Sequence, residues 1–253
     1  MGKFVIDASF WEVFPDAEIG VVLAMGIDNT LAGQDAVRAA IGALLEQSQQ
    51  DAQQYVTAAV WSENPVIAVW REAYRQFRTK KGARASIEAL LKRVDTGKGI
   101  GSINPLVDIY NAVSLRYGLP CGGEDLETFQ GNLRLTVTPG HDPFVALGDD
   151  ADDPTLPGEI CYLDDRGAVC RCLNWRDGQR TMLTERTTNA FLVMESIDPE
   201  RSASLRDALG MLARWTQKLG GTTRIDILNR NHGEVVLDGD KAYRYVLRNY
   251  RGR

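Results

Sequence analysis

Polar side chains interrupt an otherwise apolar run between Ser102 and Leu115. Asn104 precedes Pro105, and Asp108 and Asn111 follow three residues apart, so on a helix those two share one face. An amide and a carboxylate on an apolar helix either cap a neighbouring turn or face a pocket where they hold a ligand or orient a water. Asn174-Trp175-Arg176-Asp177 is a second polar cluster. As a tight turn it lines a pocket in which Trp175 stacks on a base, or it is an Asx-type turn around a core tryptophan. Glu195 ends the apolar run Phe191 to Met194. A carboxylate in that place contacts an ammonium or a polar side chain, or ends a strand in solvent. No G-x-S-x-G or H-E-x-x-H motif occurs, and both histidines, His141 and His232, fall in turn-like sequence.

Charge is distributed unevenly. The net charge is −5, yet between Arg71 and Lys98 nine basic residues face three acids. Arg71, Arg75 and Arg78 are spaced for one helical face, and Lys80 and Lys81 follow. The acid excess lies elsewhere, as in Asp149-Asp150-Ala151-Asp152-Asp153. Such asymmetry suits either a phosphate-facing side or a solvated helix surface. The four cysteines, Cys121, Cys161, Cys170 and Cys172, fit free thiols in a reducing cytoplasm. Cys170 and Cys172 would share a strand face, and their spacing fits no common zinc pattern. No cofactor or metal is expected. No apolar run reaches the roughly 18 residues of a membrane span, and the first residues read as a strand, not a signal peptide.

These groups require elements to position them. At 44% apolar and 25% charged, the 253 residues suffice for one α+β domain of two closely packed lobes, about 1–130 and 131–232, with 233–253 as an extension. Residues 4–10 and 20–27 read as strands, 33–59 as helix broken near Ser48, and 66–77 as helix. Ser86 is placed to cap a helix over 87–94. Asn104 and Pro105 begin another, and Gly118 with Pro120 stops it. Gly97-x-Gly99-x-Gly101 follows a helix and so reads as a connector. From Leu133 the period changes to two, with strands expected at 133–137, 160–163, 168–173, 182–183, 190–194 and 223–228, and Asp164 to Gly167 as a hairpin turn. Leu205 to Leu219 is an amphipathic helix, and Val235 to Leu237 a last strand-like piece. A helical first half packed on a mixed or antiparallel sheet follows.

Asn104-Pro105-x-Val107-Asp108-x-x-Asn111, then Gly118-x-Pro120 and Asp125-Leu126, resembles the tRNA-editing domain of the bacterial phenylalanyl-tRNA synthetase beta subunit, and its free-standing relatives more closely. Trp70-Arg71-x-Ala73-Tyr74, Arg84-x-Ser86-x-Glu88-Ala89-Leu90-Leu91, Pro157-Gly158-Glu159, Asn174-Trp175-Arg176-Asp177 and Thr187-Thr188-Asn189 extend the likeness over roughly residues 60 to 200. The resemblance implies a deacylase that hydrolyses the ester of mischarged tRNA in trans, with tRNA and the amino acid moiety as partners. It places the family's Thr-Asn pair at Tyr110-Asn111, its histidine at Gly122 and its glutamate at Glu195. Threonine is thus replaced by tyrosine and the histidine is lost, which suggests a different amino acid specificity. Because the ester is already activated, positioning a water and stabilising an oxyanion would suffice. Asn111, Asn174 and Asp177 are expected to do this, with Asn104, Asp108, Tyr110, Gly122, Trp175 and Glu195 around the substrate and the Arg71 to Lys81 cluster on tRNA. A thiolate at Cys121 is disfavoured by the neighbouring acids Glu124 and Asp125. Nothing suggests an ATP site, so aminoacylation is not expected. The alternative is a non-catalytic module that binds tRNA or an amino acid. The sequence leaves the oligomeric state open.

Overall fold

The chain starts in β1 (Lys3–Ile6), which turns Phe4 and Ile6 into the core. This is a computed structural model, and it describes residues 2–237. The strand expected to reach Phe10 stops at Ile6, and Ala8–Val13 is a short helix, α1. The helical turn lets Phe10 pack against both Trp11 and Phe14, with ring centroids 5.1 and 5.6 Å apart. β2 (Glu18–Met25) follows. α2 spans Asp35–Asp51 and gives way to a 3-10 turn over Ala52–Tyr55, short of the expected Ala59.

α3 (Pro65–Ala73) is shorter than the 66–77 expected, so Arg75 and Arg78 lie beyond it and share no helical face with Arg71. α4 covers Ser86–Asp95 and begins one residue earlier than expected. Its N-cap is Ala85, and the Ser86 hydroxyl caps nothing. α5 (Pro105–Tyr117) starts and stops as its sequence predicts. Asn104 Oδ1 accepts from the Val107 N–H at 3.1 Å, and Gly118 ends the helix in the left-handed region at φ 59°.

The remaining elements are β3 (Cys121–Asp125), β4 (Leu133–Val137), β5 (Ile160–Asp164), β6 (Gly167–Arg171), β7 (Arg176–Asp177), β8 (Asn189–Ser196), α6 (Ser202–Thr216), β9 (Thr222–Leu228) and β10 (Glu234–Val236). Met182 makes only an isolated bridge with Glu124, and 182–183 is not a strand. Cys172 lies past the end of β6 at φ 48°, so it does not share a strand face with Cys170. The basic C-terminal end from residue 238 lies outside the described residues.

The strands form two sheets. One runs β10-β1-β4-β5-β6-β7 and is mixed, β1 and β4 being parallel. The other, β3-β8-β2-β9, is antiparallel throughout. The fold is α+β, and strands from both halves of the chain build each sheet. Both faces of β8 are covered, by different layers. Gly20 pairs with Met194, and a Cβ on Gly20 would lie 2.4 Å from Leu209 Cδ1, so α6 rests on the face that Met194 shares. Residues one step along face the opposite way. There Phe191 meets Phe4 of the other sheet at 5.1 Å between centroids, and Phe4 in turn stacks on Tyr162 at 5.8 Å. Glu195 belongs to this second face, between the sheets. Among the described residues no helix is long and apolar enough to cross a membrane.

Candidate functional site

Between the two sheets lies a cavity of about 440 Å³ including its open mouth. Alternation along the edge strand β3 turns Gly122 and Glu124 towards it, opposite Val193 and Phe191 of β8. β8 supplies Glu195, and β7 with the turn before it supplies Asn174, Trp175 and Asp177. That turn is held by backbone that few side chains adopt. Cys172 and Leu173 have φ of 48° and 65°. They follow directly on Arg171, which is 1% exposed and bonds Glu159 with both a 3.0 Å and a 2.7 Å contact. The buried ion pair thus anchors the end of β6 just before the chain reverses towards Asn174.

Asn174 is bonded at both ends of its side-chain amide. Its Nδ2 donates to Glu195 Oε2 at 3.3 Å, its Oδ1 accepts from the Tyr74 hydroxyl at 3.0 Å, and its carbonyl accepts from Ser86 N–H. The Tyr162 hydroxyl donates to Glu195 Oε1 at 2.8 Å. Each Glu195 oxygen therefore has one hydrogen-bond donor and retains a lone pair. Burial lifts the Glu195 carboxyl from 4.5 to about 8, against the hydrogen bonds from Tyr162, Asn174 and its own backbone N–H that favour the ionised form. Burial also raises Asp177, and raises Glu124 well above its ordinary range, with Asp177 adding to the effect on Glu124. Three carboxyl groups thus surround one small space.

Five of the residues expected from the sequence converge here: Gly122, Asn174, Trp175, Asp177 and Glu195. Others do not. Asn111 is buried on α5, outside the cavity lining. α5 packs on α2, α6 and β3, on the side of the β3-β8-β2-β9 sheet that carries α6, whereas Glu195 faces away from it. Asn104 is a cap that also accepts from Asn29 Nδ2 at 3.1 Å, while Asn29 Oδ1 accepts from Leu106 N–H at 2.9 Å. Asp108 accepts from Ile103 N–H at 2.8 Å and from the Ser102 hydroxyl. Both secure the start of α5, and neither lines the cavity. Tyr110 packs against Gly123, and its hydroxyl is pushed well above 10 by burial and then by Asp177.

The basic cluster divides. Arg71 bonds Glu88 through Nε and Nη2, the shortest contact being 2.7 Å, and Lys80 pairs with Asp153. Arg75 meets Glu72 in an exposed i,i+3 pair. Arg78, Lys81 and Arg84 are exposed and, among the described residues, enter no ion pair. They precede Ser86, which lines the cavity.

The structure adds residues the sequence reading passed over. Glu124 is 4% exposed and lines the cavity, yet its Oε2 has no hydrogen-bond partner. The Ser86 hydroxyl is in the same position. One signal was available: if Gly122 lines a pocket and sits on a strand, Glu124 two residues on faces it too. Ser86 and Tyr162 carried no such signal. All four cysteines are free and buried. Burial, followed by Glu195 and Asp177, pushes the Cys121 thiol well above its ordinary range. Among the described residues no group of three or more His, Cys, Asp or Glu is placed to hold a metal ion.

Residues 69–214 match the family model described as the B3/4 domain. No curated protein matches the sequence. Among solved structures, an N-terminal fragment of the phenylalanyl-tRNA synthetase beta subunit from Pyrococcus horikoshii is similar, with a TM-score of 0.47 and 10% sequence identity. The match covers 87% of this chain and 50% of that one, so the chain spans about half the fragment's length.

Proposed function

The chain belongs to the B3/4 domain family, the editing-type domain of the phenylalanyl-tRNA synthetase beta subunit, and on that premise we propose that it is an aminoacyl-tRNA deacylase acting in trans. The observation that carries this reading is the convergence of Asn174, Trp175, Asp177 and Glu195, from separate turns and strands, on one cavity whose rim continues into exposed basic chain. The aminoacyl group enters between the sheets. Trp175 offers a face for the terminal adenine. Arg78, Lys81 and Arg84 meet acceptor-stem phosphates.

Hydrolysis needs a water at the ester carbonyl and a group to accept its proton. Glu195 fits the second role, because a carboxyl near neutral pH balances the ionised fraction against basicity. Water oxygen attacks the carbonyl carbon as Glu195 takes a water proton, and Glu195 then returns that proton to the tRNA ribose oxygen as the acyl–oxygen bond breaks, leaving the free amino acid and the tRNA hydroxyl. Asn174 and Tyr162 hold Glu195 in place for this. A covalent route through Cys121 is disfavoured because the thiol stays protonated.

A panel of mischarged tRNAs incubated with the purified chain tests the reading. Release of at least one amino acid above the uncatalysed rate, lost in Glu195→Gln, is expected. Binding of aminoacyl-tRNA with no hydrolysis of any pair would instead establish a non-catalytic binding module.

A further inference from the structure

Glu124 is the cavity residue least explained by its surroundings. Its side chain is 4% exposed, and its Oε2 is buried without a partner. Thr181 Oγ1 lies close enough to oppose the rise in its pKa, but that hydroxyl also has no partner in hydrogen-bond geometry. A buried carboxyl oxygen left bare costs the full desolvation of the group, so such atoms are rare unless something occupies the space beside them. Asp177 lines the same cavity, and its Oδ1 lies 4.0 Å from the place a Cβ would take on Gly122, two residues before Glu124 on the same strand face. Two carboxyl groups therefore share one end of a cavity.

Among the described residues no cation forms an ion pair with either. Arg180 is nearest in influence, and both its Nη atoms bond Asp164, at 2.8 and 2.7 Å. Arg176 pairs with Asp149 and lies over the Trp175 ring. The space in front of Asp177 is also open. A Cβ on Gly122 would have as its nearest neighbours Val193 Cγ1 at 3.8 Å and Asp177 Oδ1 at 4.0 Å, so a small group fits there without displacing anything.

We propose that the Glu124 and Asp177 end of the cavity is a receptor for a primary ammonium group, and that its ligand is an aminoacyl compound with the α-amino group free. An ammonium presents three donors and no acceptor, which matches oxygens that only accept once ionised. The identity of the ligand rests on the deacylase reading: an α-ammonium lies two bonds from the ester carbonyl, and Glu195 lines the same cavity. The receptor explains how the site tells aminoacyl esters from N-acylated ones, since an acylated nitrogen brings neither the charge nor three donors.

The experiment titrates the full chain by calorimetry with the amides of the twenty standard L-amino acids and with their N-acetyl derivatives. The same preparations are assayed for hydrolysis of aminoacyl-tRNA and N-acetyl-aminoacyl-tRNA. At least one free amide is expected to bind saturably, its N-acetyl derivative at least tenfold more weakly. Glu124→Gln is isosteric with the protonated side chain and should keep the wild-type melting temperature while losing tenfold or more in affinity. Asp177→Asn is expected to do the same. Equal binding of free and N-acetyl amides, unchanged affinity in a folded Glu124→Gln, or no binding by any amide would overturn the receptor. Hydrolysis of both ester types at equal rates would sink the receptor and leave the deacylase standing. Amide binding that depends on Glu124, with no ester hydrolysed, would do the reverse.

Discussion

Replacing Glu195 by glutamine tests the electrostatics of the cavity directly. Burial moves this carboxyl from 4.5 to about 8. At about 1.4 kcal/mol per pH unit, that displacement separates the two protonation states by roughly 5 kcal/mol. The folded chain keeps a proton that the unfolded chain releases, so wild type loses stability as pH rises from about 4.5 to about 8 and levels off above. Glutamine has no proton to lose. It also preserves the network: its oxygen accepts from Asn174 Nδ2, and its amide donates to the Tyr162 hydroxyl, which replaces a donation by an acceptance. Below pH 4.5 the two proteins should agree within about 1 kcal/mol, the scale of one altered hydrogen bond. By pH 7 the variant should be more stable by roughly 3 kcal/mol, and by pH 9 by up to about 5. Urea unfolding followed by tryptophan fluorescence at a series of pH values gives both curves. Because Glu124 and Asp177 are present in both proteins, their contributions largely cancel in the difference. Parallel curves from pH 4.5 to 9 would show that Glu195 is not held neutral by its surroundings, and the proposed base would fall with it.

On the proposed mechanism the same carboxyl is expected to set the rate. Deacylation kcat/KM should rise about tenfold per pH unit as pH climbs from 6 towards 8, and a flat profile over that range would exclude Glu195 as the base. Arg171→Ala leaves Glu159, which is 0% exposed, without its cation, so stability should fall by about 3–5 kcal/mol; denaturant unfolding showing under 1 kcal/mol would contradict the anchoring role. Gly122→Ala should fold as wild type and weaken amide binding, since the methyl enters open cavity beside Asp177, whereas Gly123→Ala meets Leu183 Cδ1 and Leu192 Cδ2 at 2.8 Å and should melt lower. Arg78→Ala/Lys81→Ala should weaken tRNA binding and flatten its salt dependence by about two charges, while Arg71→Ala should change stability more than tRNA affinity because its guanidinium is committed to Glu88; filter binding at several salt concentrations separates the two.

Local sequence determined the parts of this protein that local physics controls. Asn104-Pro105 and Gly118 fixed both ends of α5, since a cap, a ring without an N–H and a left-handed glycine act within one turn. The change to a period of two marked the strands after Leu133 for the same reason, while Glu195 read equally as a ligand contact or a strand end in solvent until the structure buried it. What the sequence could not decide was which face each group would reach. Asn111 and Glu195 both read as polar groups beside apolar runs, but α5 lies on one side of a sheet and Glu195 on the other. Likewise the spacing of Arg71, Arg75 and Arg78 promised one face, and the helix ended at Ala73, with Arg71 drawn to Glu88, 17 positions along the chain. Glu124 carried no mark in isolation. Its importance comes from the pairing of β3 with β8, from Asp177 arriving on β7, and from a space that no side chain fills, all products of contacts between segments far apart in sequence.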